Sequence, residues 1–177
     1  MANFPDVGIQ NMTLRLKSAV SMSQSPFTFD QQTYQHQGVR WEAEVTLSPL
    51  SKAEAKEVEG FLFGLRGMAN TFKMGHPLHN TTASGTITGS VNSDTVTATI
   101  SGASVGDYFE FADHLYVITS IDGNEFGIMP PLRSTASNST VDFTYPKSTW
   151  RLASNDVQFN SDVAGIHTFT IPIIEAL

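Results

Sequence analysis

The chain has 177 residues, of which 40% are hydrophobic and 15% charged, enough apolar material for a sizeable core and far from the composition of a disordered segment. Its 10 Lys and Arg against 17 Asp and Glu give a formal net charge of -7, which argues against a footprint on a phosphate backbone. The absence of cysteine excludes disulfide frameworks and thiolate metal sites.

Thr, Ser and Phe recur in short runs cut by Gly, Asn and Asp, a composition suited to many short strands and tight turns, so a mainly β framework is expected. Residues 1–10 lack the basic and apolar regions of a secretory signal, and no apolar run is long enough to span a bilayer. The expectation is a soluble protein without membrane insertion.

Met12, Leu14 and Leu16 alternate with Thr13, Arg15 and Lys17, the period-two pattern of a strand with one buried face. The alternation returns in Trp41, Ala43, Val45 and Leu47, so the two segments are expected to pair antiparallel. Between them, residues 18–38 form a long polar connection carrying Phe27, Phe29 and Tyr34. These aromatics mark either an extended hairpin that serves as an assembly-interface arm or a loop folded back on the core.

Ser51 with Glu54 three residues later is a capping box and predicts a helix over 51–66. Ala55, Val58, Phe61, Leu62 and Leu65 fall on one face, so the helix should lie on a sheet. Gly67 is placed to stop it. Gly60 and Gly64 weaken it but allow close approach of a neighbour.

After a short strand around Phe72 and Met74, the chain turns Ser-, Thr- and Gly-rich. Strands are predicted over 86–91, 95–100, 108–111, 115–118, 125–129 and 141–145, separated by turn signals, as in a small barrel or sandwich. Strands over 150–152, 157–159 and 167–174 then rejoin the first unit. Pro172 implies an edge or a bulge in the last one. The division expected is 1–80 plus 146–177 as one β domain and 81–145 as an inserted small β domain.

Candidate chemistry is thin. His76 and His79 flank a helix-breaking Pro77 with no third ligand in view, and Asp107, Asp113 and Asp122 do not follow the calcium-loop spacing. No Gly-x-Ser-x-Gly elbow or phosphate-cradling glycine loop appears. Trp41, Tyr108, Tyr116 and Trp150 are the aromatic platforms that a carbohydrate-binding module would use, against a default of core packing. The reading is no enzyme, no cofactor and no metal.

The order of motifs carries a resemblance. Met12-Thr-Leu-Arg-Leu-Lys-Ser, Gly38-Val-Arg-Trp-Glu-Ala-Glu-Val-Thr-Leu, Ser51-Lys-Ala-Glu-Ala-Lys-Glu-Val-Glu-Gly-Phe-Leu, Gly106-Asp-Tyr-Phe-Glu-Phe, His114-Leu-Tyr-Val-Ile, Pro130-Pro-Leu-Arg and Trp150-Arg-Leu-Ala-Ser-Asn together resemble tailed-bacteriophage virion proteins related to distal tail proteins. The resemblance implies a β-sandwich with one flanking α-helix, of the tail-tube and distal-tail type, carrying an inserted small β-barrel or sandwich. It further implies a structural protein of the tail tip, assembled in the bacterial cytoplasm into a homo-oligomeric, hexameric ring. Such a ring would join the tail tube to the central hub or baseplate, near the tape-measure protein. Alternatives are a tail-tube or tube-terminator subunit and a carbohydrate-binding module.

Overall fold

The computed structural model describes residues 2–75, 81–156, 160–161 and 167–177. The structure is mainly β, with 57% in strands, so the mainly β expectation holds. The strands are β1 (Ala2–Asn3), β2 (Ile9–Gln24), β3 (Gln31–Leu47), β4 (Phe72–Gly75), β5 (Ser84–Gly89), β6 (Thr95–Ser101), β7 (Tyr108–Phe111), β8 (His114–Asp122), β9 (Glu125–Met129), β10 (Ala136–Val141), β11 (Lys147–Leu152), β12 (Asn160–Ser161), β13 (His167–Thr168) and β14 (Thr170–Glu175). Among the described residues α1 (Lys52–Gly64) is the one α-helix.

The first sheet runs β1-β4-β11-β14-β3-β2. Period-two alternation puts Met12, Trp41, Ala43, Val45, Leu47, Phe72, Met74, Trp150, Leu152, Ile171 and Ile173 on its covered face, where Ala55, Val58, Leu62 and Leu65 of α1 close the core. α1 forms where the capping box places it. Ser51 Oγ accepts from the Glu54 backbone N–H, and Glu54 Oε2 accepts from the Ser51 backbone N–H at 2.9 Å. Its exit differs from expectation, because Arg66 is already left-handed (φ 54°) ahead of Gly67 (φ 65°). Gly67 begins the short 3₁₀ turn Gly67–Ala69 rather than capping the helix alone.

The second sheet runs β10-β5-β6-β9-β8-β7. Its two end strands nearly meet: Glu110 N–H donates to Asp142 O at 2.8 Å and Asp142 N–H to Glu110 O at 3.1 Å. The sheet thus curls into a nearly closed barrel around Ile87, Phe109, Tyr116, Ile118, Ile128, Leu132 and Phe143, which leaves it little open edge.

Two predicted strands need correction. The strand expected over 141–145 lies earlier, at Ala136–Val141, because the polar run preceding Val141 pairs with β5 through a bulge and gives no alternation to read. Pro172 was expected at an edge or bulge, yet β14 is interior, between β11 and β3. Its carbonyl accepts from Ala153 N–H, one residue beyond the end of β11, so the missing donor falls where that ladder already stops. The strand expected over 157–159 lies outside the described residues.

Candidate functional site

β2 and β3 pair from Ile9↔Leu47 to Gln24↔Gln31, far beyond the width of the core they cover. The connection read from sequence as 18–38 is therefore mostly ladder, closed by a turn over 25–30. That turn is fixed by Ser25 N–H donating to Asp30 O at 2.9 Å, Phe29 N–H to Ser25 O at 3.0 Å, and Thr28 Oγ1 to Asp30 Oδ2 at 2.7 Å. Phe29 adopts φ 61°, a left-handed conformation that costs a bulky residue about 1 kcal/mol or more. The turn holds Phe27 91% and Phe29 71% exposed.

The buried stripe of β2 continues into this projection. Even-numbered residues face the core at Met12, Leu14 and Leu16, and the same parity brings Val20 and Met22 to that face, 53% and 61% exposed. The irregularity between Ser18↔Val39 and Val20↔Gln35 places two extra residues in β3, an even number, so the faces do not exchange across it. The arm is an extension of the core face that this chain leaves bare. Its opposite face carries Tyr34, 68% exposed, against the His36 ring at 4.7 Å, with Ser21 Oγ 3.2 Å from His36 Nε2.

Monomeric edges are normally guarded by charge or proline. Over 18–38 the only formal charge is Asp30 and the only proline is Pro26, both in the turn. The ladder of the arm has no such guard. Phe27, Phe29 and Tyr34 are thus gathered on one projecting ribbon, with Val20 and Met22 added by the structure. The sequence signal for those two was the continued even-residue alternation past Leu16.

The other aromatics read as platforms lie inside. Trp41 is 4% exposed with Nε1 donating to Leu115 O at 2.8 Å, and Trp150 is 1% exposed with Nε1 donating to Met74 O at 3.0 Å. Tyr116 is fully buried and stacked on Phe109 at 5.3 Å, burial pushing its hydroxyl up to about 12. Tyr108 is half-buried against Trp41. A sugar stacks on an exposed ring face, so Trp41, Tyr116 and Trp150 are core residues.

Among the polar candidates, Asp107 accepts from Ser104 N–H at 2.8 Å and Asp113 pairs with Lys73, as turn residues do. Asp122 ends β8. His76 and His79 lie outside the described residues. Sequence reasoning missed Glu175, whose side chain is fully buried. Its Oε2 accepts from Trp41 N–H at 3.1 Å and Arg133 Nη2 at 3.2 Å, and its Oε1 lies 3.2 Å from His114 Nδ1. Arg133 also donates to Val39 O. This carboxylate is consumed by contacts between the two sheets. Its signal was parity, since Glu175 follows Ile171 and Ile173 on the covered face.

No protein-family model matches the chain, and no curated protein shows significant similarity to it.

Proposed function

We propose that this chain is a structural subunit of a phage tail tip, of the distal-tail type, forming a ring of six that joins the tail tube to the hub. In this reading the first sheet and α1 belong to a ring-forming sandwich domain, residues 81–145 are an inserted small β domain, and no catalysis takes place. The observation that carries it is the arm: a two-stranded ribbon whose apolar stripe continues a core face and whose edges lack guarding charge. A subunit that stayed alone would gain nothing from such a ribbon and would risk aggregation. Heterologous contacts through an arm close into rings when the rotation between copies permits. The acidic balance of -7 suits a channel that passes DNA, because like charge prevents sticking.

Light scattering of the purified protein followed by negative-stain imaging tests the reading. A ring of fixed size, found also in purified virions, is the expected result. Long cylinders would favour the tail-tube alternative. A monomer at every concentration, absent from virions, would end the structural reading.

A further inference from the structure

At the β1 edge of the first sheet, opposite the arm, the surface is concave. Between β1 and the outer side of α1 runs a groove of about 540 Å³, lined by Ala2, Gly60, Phe61, Gly64, Asn70 and Thr71. Its floor is stiff, because Phe61 is packed edge-on against Phe4 and Phe72, each at 5.5 Å. A Cβ added at Gly60 or Gly64 would meet nothing within 4 Å. The chain's own packing therefore gives no steric reason for glycine either at position 60, inside the helix, where it weakens the helix relative to alanine, or at position 64, its last residue.

We infer that this groove receives the arm of the next copy, with Phe27 and Phe29 seated over Gly60 and Gly64. Three observations commit the groove to that occupant. The arm grows from β2 and the groove lies at β1, the two opposite edges of one six-stranded sheet, about 24 Å apart at normal strand spacing. Within one copy the arm is bare, and between copies the contact runs head to tail, as a ring requires. The charge also matches: no charged residue lines the groove and Asp30 alone marks the arm, the charge depletion typical of interface cores. Finally, Val20 and Met22 on the core-side face of the arm, with Phe27 and Phe29 at its tip, present roughly 550 Å², about two thirds of the roughly 800 Å² that one partner contributes to a standard stable interface.

The inference rests on the self-assembly proposed above, and its test separates the two. Because the chain has no cysteine, Thr28→Cys at the arm tip and Gly64→Cys in the groove can be made singly in the full chain and mixed under oxidising conditions. The expected result is a disulfide-linked dimer of Thr28→Cys with Gly64→Cys, and none when Thr28→Cys is mixed with Ser90→Cys in an exposed barrel turn. Gly64→Leu, which fills the groove, should leave the melting temperature of the monomer at or above that of the parent while weakening assembly about thirtyfold or more. Phe27→Ser should weaken it similarly without loss of fold. Rings that persist in Gly64→Leu overturn the docking alone, as does a disulfide joining two arm tips or joining the arm only to a different virion protein. A parent protein that never associates overturns the docking together with the ring.

Discussion

Glu110 shows how one residue answers to both halves of its surroundings. It sits half-buried on β7 where the barrel nearly closes, its Oε2 accepting from Lys147 N–H at 2.9 Å. Burial pushes its carboxyl above the ordinary value, the Lys147 bond and Lys73 oppose that, and Asp113 and Asp142 add to it. A folded carboxyl that holds its proton more tightly than the unfolded one loses stability as pH rises from the ordinary value of 4.5 through the raised one. Glu110→Gln, which keeps an acceptor for Lys147, should therefore stabilise the protein at pH 7. The gain should be under about 1 kcal/mol, given solvent screening of a half-exposed group. It should shrink as pH falls and vanish below the ordinary carboxylate range, as read from urea midpoints at pH 7 and pH 4. A gain that grows on acidification would contradict the assignment.

At the scale of elements, the arm and α1 represent two kinds of legibility. The helix was readable because its start signal is local: Ser51 and Glu54 satisfy each other's backbone donors within one turn. The arm was readable only in part. Phe27, Phe29 and Tyr34 on a long connection fitted a projecting hairpin and a folded-back loop equally, since choosing between them needs the position of the core edge. Shortening the arm tests its independence from that core. Replacing residues 20–35 with an Asn-Gly turn should leave the melting temperature within about 2 °C, because Val20, Met22, Phe27, Phe29 and Tyr34 are already exposed. A large drop in melting temperature would mean that the arm supports its own fold. Pro172 is the opposite case, where local chemistry pointed to an edge and the β14 neighbours put the strand inside.

For the whole molecule, the decisive contact is the buried carboxylate of Glu175. It draws in Trp41 N–H from β3, Arg133 from beyond β9 and His114 at the start of β8, tying the first sheet to the barrel. Arg133→Ala removes one partner and leaves a buried charge short of compensation, a cost of about 3 kcal/mol. Adding Glu175→Gln, which retires the charge, should recover part of that loss. Urea denaturation followed by tryptophan fluorescence reads both, since Trp41 and Trp150 lie in the first core. If Arg133→Ala proves neutral, the carboxylate does not depend on this cation. The sequence by itself determined the strands with clean alternation, the capped helix, the turns of the barrel and the poverty of catalytic signals, because each is encoded by residues within a few positions of one another. Only the tertiary structure decided that Trp41, Tyr116 and Trp150 are core rather than surface, that Glu175 joins two sheets, and where the core ends along β2. Those facts depend on which distant segments share a space, and burial is a property of the packed whole rather than of any local pattern.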